Sequence, residues 1–393
     1  MQSFTFCSTT EIVFGRGAER RVAEEVRKFG GTRVLIVYGG GSVVENGVLG
    51  RIETQLESEG LKFEKFGGVV PNPRLSHARE GVTHAVDFNA DFVLGVGGGS
   101  VIDTAKGIAH GVANPQTDIW DFWSGNAVVE KSIPVGAVLT IPAAGSESSD
   151  SAVLTNDKTG QKRGLSTDFN RPKFAIMNPE LAYTLPRYQV ACGVVDTMMH
   201  TLDRYFTPSV GNELTDELAE ALLRVTVKNG TMVVNDTANY DAMSELMWCS
   251  SVSHNGLTGL GAIKDFATHK LGHELSGKFD VAHGASLSAV WRSWATYVYK
   301  EGPERFARLG RKLWNIQVSD QDEAALMTID ATSDYFMSLG MPTCFSELGI
   351  GVQNPKVLKE LSDSCTDCGR KTVANFKKLG RDDVYRIYEL ANH

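Results

Sequence analysis

Five residues in the C-terminal half combine the side chains and the spacing that bind a transition metal. Asp196 and His200 stand four residues apart in GVVDTMMH. His269 and His273 repeat that spacing in HKLGHELSG, and His283 follows in DVAHG. Residues four apart share one face of a helix, so each pair can reach a single point. Carboxylate and imidazole are good ligands for a divalent metal, which can polarise an oxygen atom, so the pattern predicts a metal-dependent enzyme.

Either pair alone could instead have a purely structural role, because an Asp or His on a helix is usually a core or surface residue whose hydrogen bonds are made within the protein. Two such pairs together with a fifth ligand-type residue favour the metal site. The segment HKLGHE differs from the zinc-protease pattern HExxH, because Lys270 stands where the glutamate would be. A hydrolase of that kind is therefore disfavoured.

A phosphate site is indicated by GVGGGS at 95–100, between an apolar strand-like segment and a helix-like one. Glycines let the backbone approach a phosphate, and the following helix N-terminus offers free N–H groups and a positive dipole end. The residues predicted to contact a pyrophosphate are Gly97, Gly98, Gly99 and Ser100, with Asp103 one turn further on. The motif is not the Rossmann fingerprint, because Ile102 stands where a third glycine would fall. A tight turn without a ligand is the alternative.

A second glycine turn, YGGGS at 38–42, follows the first strand-like run. In dinucleotide sites an acidic residue at a strand end often binds the adenosine ribose hydroxyls. The turn here carries no carboxylate; its residues are Gly39, Gly40, Gly41 and Ser42. This leaves room for a 2′-phosphate, with Ser42 as a donor, and predicts NADP(H). Glu45 is close enough in sequence to supply a carboxylate, which keeps NAD(H) as the alternative.

The order of short apolar runs and helical stretches predicts an α/β domain over residues 1–186. The predicted strands are TRVLIVYGGGS, LKFEKF, DFVLGVGGGS, VGAVLTIP and KFAIMNP; the predicted helices lie near 43–59 and 75–89, with a third opening at VIDTAKGIAHG. This alternation is typical of a mostly parallel sheet with helices on both faces. The segment SAVLTNDKTGQKRGLS predicts a hairpin.

Helical periodicity dominates after residue 187 and predicts an all-α domain over 187–393. The predicted helices are 189–205, 213–235, 240–258, 262–276, 284–299, 303–314, 322–339, 355–364 and 382–391. The first domain is thus expected to bind a dinucleotide in a Rossmann-like manner, and the second to bind the metal and carry the catalytic groups.

Composition bounds the class of protein. The net charge of −8 argues against a nucleic-acid or anionic-membrane partner. No segment reaches the ~20 apolar residues that span a bilayer, and the N-terminus lacks a basic n-region, so we expect a cytoplasmic protein. The six cysteines are scattered apart from Cys365 and Cys368. This lone CxxC could be half of a zinc site or a redox pair, but we interpret it as two reduced, structurally incidental thiols.

Taken together, these motifs resemble those of the iron-containing, or group III, alcohol dehydrogenases. Within that family the chain looks most like butanol dehydrogenases and NADP-dependent broad-range aldehyde reductases. The resemblance runs over nearly the whole chain: FGRGA at 14–18, VVPNP at 69–73, GGGSVIDTAK at 97–106, TIPAAGSESS at 140–149, MNPELAYTLP at 177–186, GVVDTMMHTLDRY at 193–205 and the two histidine segments.

The resemblance implies a particular set of site residues. The metal, Fe²⁺ or alternatively Zn²⁺, would be held by Asp196, His200, His269 and His283. His273 matches a catalytic histidine that assists proton transfer without binding the metal. The cofactor contacts implied in addition to the glycine turns and Asp103 are Asn72, Thr140, Ser149, Lys162, Leu181 and Thr184. The family also suggests a homodimer, with a strand at residues 4–6 pairing across the interface.

The function expected from residues and resemblance together is reversible hydride transfer between NADP(H) and a primary alcohol or aldehyde such as butanol or butanal. A polyol dehydrogenase using NAD is the main alternative. A lyase of the same fold and a binding protein without turnover are further alternatives. The substrate cannot be inferred from sequence; from position alone, Phe266, Trp291 and Trp123 are guessed to line its pocket.

Overall fold

The computed structural model describes residues 1–393, the whole chain. Its strands are β1 Glu11–Phe14, β2 Arg33–Gly39, β3 Lys62–Val69, β4 Phe92–Gly97, β5 Val135–Leu139, β6 Ser151–Asn156, β7 Gln161–Ser166 and β8 Phe174–Met177. Six of them form one sheet in the order β1-β8-β5-β4-β2-β3, and every pairing in it is parallel. The strands β6 and β7 form an antiparallel hairpin, as predicted.

The central strands of the parallel sheet are buried along their whole length. All residues of β4 (FVLGVG), β5 (VGAVL) and β8 (FAIM) are buried. Continuous apolar strands of this kind are typical of a parallel sheet that helices cover on both faces. The fold class predicted from the alternating pattern is therefore confirmed.

The helices of the N-terminal half are α1 Val22–Lys28, α2 Ser42–Glu45, α3 Val48–Ser58, α4 Leu75–Phe88, α5 Gly99–Ala113 and α6 Ile119–Ser124. The single helix predicted near 43–59 is two helices, because Gly47 between them takes a left-handed conformation with φ 73°. Helix α5 begins at the glycine turn after β4, where the sequence predicted the phosphate site.

The C-terminal half is helical, as predicted. Its helices are α7 Arg187–Tyr205, α8 Glu213–Asn235, α9 Tyr240–His254, α10 Ala267–Phe279, α11 His283–Val298, α12 Pro303–Leu313, α13 Gln321–Ser338, α14 Pro355–Cys365 and α15 Arg381–Ala391. The start predicted for α10, residue 262, is wrong by five residues. Phe266 has a left-handed φ of 57°, and Asp265 accepts a hydrogen bond from the amide of Ala267, so the helix begins only there.

Contacts divide the chain into two compact units. The first, called here the sheet unit, comprises Cys7–Pro186 and Asp236–Asn255; the second, the helical unit, comprises Met1–Phe6, Arg187–Asn235 and Gly256–His393. The chain passes from the sheet unit to the helical unit after Pro186, and helix α9 belongs with the sheet. That helix is tied there by a hydroxyl pair, Ser251 Oγ to Ser148 Oγ at 2.8 Å.

The N-terminal residues lie against the helical unit without forming a strand in this single chain. The ammonium of Met1 donates to the carbonyl of Val210, and the amide of Gln2 donates to the carbonyl of Gly261. No helix of the structure combines the length and the apolar character that crossing a bilayer requires.

Candidate metal centre and dinucleotide site

Three helices of the helical unit bring four of the predicted ligands together. The donor atoms of Asp196, His200 and His269 lie within 4.8 Å of one another, and the more exposed His283 lies beside them. Asp196 and His200 lie one turn apart on α7, His269 lies in the first turn of α10, and His283 begins α11. The Nε2 atoms of the three histidines lie 3.3, 3.6 and 3.8 Å, in chain order, from Asp196 Oδ1. One carboxylate oxygen thus faces three imidazole nitrogens, which is the arrangement that a shared metal ligand set requires.

The burial and charge of this cluster fit a divalent cation. The Asp196 carboxylate is 5% exposed, and Oδ1 has no hydrogen-bond donor. His269 Nε2 is likewise buried without a partner. A second buried carboxylate, Asp203, lies one turn beyond His200 on α7, and neither carboxylate has a Lys or Arg within ion-pair distance. Two buried negative charges without a cationic side chain are costly unless a metal balances them.

Asp203 is a residue of this centre that the sequence reasoning missed. Its Oδ2 accepts a hydrogen bond from His269 Nδ1 at 2.5 Å and a second from the His269 amide at 3.2 Å. The spacing of Asp196, His200 and Asp203, four and then three residues, places all three on one helix face. That spacing was the signal available in the sequence, but it could not show which residue of another helix Asp203 meets.

Glycines beside the ligands allow the helices to approach closely. A Cβ at Gly284, next to His283, would lie 2.2 Å from the carbonyl oxygen of Cys192 on α7. A Cβ at Gly272, between His269 and His273, would lie 2.7 Å from a methyl of Leu287 on α11. Both distances are far below van der Waals contact, so larger residues would separate the helices that carry the ligands.

His273 lies beside the cluster but outside the group of converging donors. Its ring centroid is 5.2 Å from that of His283 and 6.3 Å from that of His269. Its side chain is half-buried, whereas His269 is buried. A basic group in this position can hold a proton near the metal without being a ligand.

Of the three aromatic residues guessed to line a pocket, Phe266 lies beside the metal cluster. The ring of Phe266 lies 5.5 Å from that of His269 and 6.4 Å from that of His200, and the residue is half-buried. Trp291 is fully buried and packs edge-on against Phe336. Trp123 is buried among apolar residues of the sheet unit. These two tryptophans are core residues, and the guess from position is wrong for them.

The predicted cofactor residues meet at the carboxyl edge of the parallel sheet. The turn 39–42 follows β2, Gly97–Ser100 follows β4, Thr140 follows β5, and residues 178–184 follow β8. The chain order of strands reverses between β2 and β4, so both glycine turns flank the topological switch point. Ligands of open α/β sheets bind in the crevice at such a point.

The glycine turn before α5 suits a phosphate. The helix has fifteen residues, and its N-cap, Gly98, forms no side-chain cap bond, so the first amides are left for a ligand. A Cβ at Gly98 would lie 2.2 Å from the side chain of Ile141, which explains the glycine by packing as well. Asp103 faces inward, where it accepts hydrogen bonds from Ser146 Oγ and from the amide of Val153.

The first glycine turn is open, but it is not far from a carboxylate. No atom lies within 4 Å of the position that a Cβ would occupy at Gly40. Glu45 Oε1 lies 3.7 Å from the corresponding position at Gly41. The turn has the space for a phosphate, and Glu45 stands beside it.

The remaining predicted cofactor residues lie in the same unit. Asn72, which has a left-handed φ of 55°, accepts a hydrogen bond through Oδ1 from Lys162 Nζ at 2.9 Å. The amide of Thr140 donates to the carbonyl of Gly97 at 3.1 Å. Ser149 is buried in the loop after β5, and Leu181 is buried just before Thr184.

A buried lysine supports the loop that carries Ser149, and this loop also contains a buried glutamate, Glu147. Lys106 on α5 donates to the Ser146 carbonyl, the Ser146 hydroxyl and the Ser151 carbonyl at 2.7, 2.9 and 2.6 Å. Burial lowers the pKa of Lys106 to about 8 and raises the pKa of Glu147 to about 7. The three acceptors hold the lysine in place and fix the loop against α5.

The chain has a parallel sheet with glycine turns at its switch point, and it has a buried carboxylate–imidazole cluster. This combination is typical of metal-dependent dinucleotide oxidoreductases. The sequence matches the model for iron-containing alcohol dehydrogenases over residues 9–179 and the model for the C-terminal domain of that family over residues 190–392. The chain belongs to the iron-containing alcohol dehydrogenase family and is an NAD(P)-dependent oxidoreductase of that class.

Similar proteins cover its whole length. It is 36% identical to NADH-dependent butanol dehydrogenase A of Clostridium acetobutylicum, over 99% of each chain. It is 35% identical to the NADPH-dependent aldehyde reductase YqhD of Escherichia coli, over 100% of each. The crystal structure of NADH-dependent butanol dehydrogenase A from Thermotoga maritima superposes with a TM-score of 0.95 at 34% identity, over 100% of this chain and 99% of that one.

Proposed function

We propose that this enzyme interconverts a primary alcohol and its aldehyde, such as butanol and butanal, with NADP(H) as the hydride carrier and a divalent metal at the centre described above. The observation that carries the proposal is the buried Asp196 oxygen facing three imidazole nitrogens within 3.8 Å. The butanol and aldehyde activities in the names of the similar proteins support the substrate class.

The proposed metal ligands are Asp196, His200, His269 and His283. A set of three imidazoles and one carboxylate suits Fe²⁺, and Zn²⁺ also accepts these donors. When bound, the metal supplies Lewis acidity toward a carbonyl oxygen, and the nicotinamide supplies a hydride. With four protein donors, a bound ion that accepts five or six ligands would also be able to accept a substrate.

The chain's own side chains would supply the rest of the chemistry. His273 is half-buried and 5.2 Å, ring to ring, from His283, and we propose that it holds the proton delivered to the product oxygen. Asp103, fixed by Ser146 and Val153 one turn after the glycine turn that precedes α5, is proposed to belong to the cofactor site.

The proposed cofactor site comprises the residues collected at the carboxyl edge of the sheet: Gly39, Gly40, Gly41, Ser42, Asn72, Gly97, Gly98, Gly99, Ser100, Asp103, Thr140, Ser149, Lys162, Leu181 and Thr184. We propose NADP(H), because the turn 39–42 has open space and carries no carboxylate. Relatives of nearly equal identity are named for different cofactors, so the choice depends on this turn and on Glu45.

The domain roles follow the same proposal: residues 1–186 bind the dinucleotide and residues 187–393 bind the metal. A homodimer is proposed from the family resemblance, and the partners are the small alcohol and aldehyde. The structure itself describes one chain.

The test is initial-rate reduction of butanal with NADPH and with NADH, using enzyme reconstituted anaerobically with Fe²⁺ or Zn²⁺. We expect NADPH turnover that depends on metal and is lost in Asp196→Ala, while Glu220→Gln in the same unit keeps it. Turnover with NADH alone would contradict the cofactor proposal. Oxidation of glycerol or a diol with NAD, but no reaction with butanal, would favour the polyol alternative.

A further inference from the structure

The His269 imidazole lies between two carboxylates of one helix and is hydrogen-bonded to one of them, Asp203. Its Nε2 faces Asp196 Oδ1 at 3.6 Å, and its Nδ1 lies 2.5 Å from Asp203 Oδ2. Both carboxylates project from the same face of α7. We infer that Asp203 is a positioning residue for the metal: it fixes the tautomer and orientation of His269 so that the Nε2 lone pair is presented to the ion.

The geometry leaves one consistent arrangement of the ring proton. Asp203 Oδ2 already accepts a hydrogen bond from the His269 amide and, as a carboxylate oxygen, can only accept a second one from the ring. The proton of a neutral imidazole must therefore be on Nδ1, which leaves Nε2 unprotonated. A ring with the opposite tautomer would place two lone pairs against each other at 2.5 Å and point an N–H at the metal position.

Burial makes this bond stronger than a surface contact. Asp203 is fully buried, and both of its hydrogen-bond donors come from His269. A charge-assisted bond in a site with little water is stronger than a neutral one. The carboxylate also raises the electron density of the ring, because partial transfer of the Nδ1 proton toward oxygen makes Nε2 a better donor.

The backbone of Asp203 positions the start of α10, the helix that carries His269, independently of the Asp203 side chain. Its carbonyl accepts hydrogen bonds from the amides of Asp265 at 2.9 Å and Phe266 at 3.4 Å, just before α10 begins. Asp265 in turn accepts from the amides of Asn375 and Phe376, both at 2.6 Å. Since these contacts hold the helix start, replacing the Asp203 carboxylate by an amide changes the ring contact while the helix stays anchored.

The inference rests on the proposed metal centre, and the experiment separates the two. Co²⁺ is titrated into metal-free protein under competition with a chelator, and binding is read from the visible absorption of the bound ion. Asp203→Asn should bind Co²⁺ about 10- to 100-fold more weakly than the parent, with a shifted absorption band. If the parent protein itself does not bind Co²⁺, that result refutes the proposed metal centre and not the role of Asp203.

A matched control distinguishes positioning from general damage. Glu220 on α8 is a fully buried carboxylate in the same unit, bonded to Tyr205 and Arg308 rather than to a ligand. Glu220→Gln should lower thermal stability and leave the Co²⁺ affinity and spectrum unchanged. Equal Co²⁺ affinity in Asp203→Asn and the parent would overturn the inference.

A measurement on the parent protein covers the case in which Asp203→Asn does not fold. In ¹⁵N-labelled protein loaded with Zn²⁺, the Nδ1 of His269 should carry an exchange-protected proton and the Nε2 should carry none. Its Nδ1 proton should resonate far downfield because of the short bond to Asp203. A His269 ring protonated on Nε2 alone would refute the inference.

Discussion

Replacement of Gly284 by alanine tests whether close helix packing determines the geometry of the metal centre. A methyl group there would lie 2.2 Å from the Cys192 carbonyl oxygen and 2.7 Å from its carbonyl carbon and Cα. Carbon atoms pack at about 3.5–4.0 Å, so the start of α11 would have to move away from α7 by roughly 1 Å. His283 is the residue before Gly284, and its distance of 3.8 Å from Asp196 would grow with that movement.

Two effects of Gly284→Ala can be estimated from this displacement. Overpacking a buried contact costs about 1–3 kcal/mol of the free energy of unfolding. A misplacement of about 1 Å at a reacting centre can lower activity about 100-fold. Because one of four ligands moves away from the other three, we expect metal affinity to fall by at least tenfold as well.

The assay compares two helical glycines at which the nearest contact of an added Cβ would be equally short, 2.2 Å. A Cβ at Gly310 on α12 would lie 2.2 Å from Thr328 Oγ1, in a helix contact that includes no metal ligand. Urea unfolding and competitive Zn²⁺ binding are measured for both alanine variants. Both should lose stability, and only Gly284→Ala should lose Zn²⁺ affinity. Undiminished Zn²⁺ binding by a folded Gly284→Ala variant would refute the reasoning.

Three further predictions concern the cofactor turn, a buried carboxyl group and the metal. Glu45→Gln should raise the preference for NADPH over NADH by roughly fivefold, because removing a charge beside Gly41 removes about 1 kcal/mol of repulsion toward a 2′-phosphate. The preference is measured as the ratio of the kcat/KM values for the two cofactors, with Glu57→Gln on α3 as the control. An unchanged ratio in Glu45→Gln would contradict this prediction. Burial raises the pKa of Glu147 from 4.5 to about 7. The protonated Glu147 carboxyl therefore stabilises the folded state fully below pH 4.5, and this stabilisation is lost as the pH rises through 7. Glu147→Gln should therefore exceed the parent in unfolding free energy by about 3 kcal/mol at pH 8 and match it near pH 4.5, and a difference independent of pH would be inconsistent with this origin. Metal at about 1,000 times its Kd should stabilise the parent by about 4 kcal/mol in thermal unfolding and should not stabilise Asp196→Ala.

The sequence was most informative where local spacing decides the geometry. The four-residue spacing of Asp196 and His200 places them on one face of α7, and the glycine turns mark the ends of β2 and β4. Helix α8 has the predicted bounds, 213–235, because its apolar period continues to both ends. Such features depend on neighbours within a few residues, so the pattern contains them.

Features that depend on distant contacts could not be predicted in this way. The sheet order places β8 between β1 and β5, and no local pattern shows it. Helix α9 was predicted as part of the helical domain, yet it groups with the sheet. The role of Asp203 requires knowing that α10 starts beside it, and the left-handed Phe266 that delays this start is unusual for a bulky residue. The short elements β1, α1 and α6 were not predicted, because four to seven residues give too little periodicity.

The most direct test of the account is anomalous diffraction from crystals of the enzyme loaded with Fe²⁺ or Zn²⁺, with data collected at the edge of the metal used. The account predicts one strong peak per chain, about 2.0–2.2 Å from Asp196 Oδ1 and from the Nε2 atoms of His200, His269 and His283. His273 should lie outside coordination distance. A peak elsewhere, or a metal bound at this point without His283, would contradict the proposed centre.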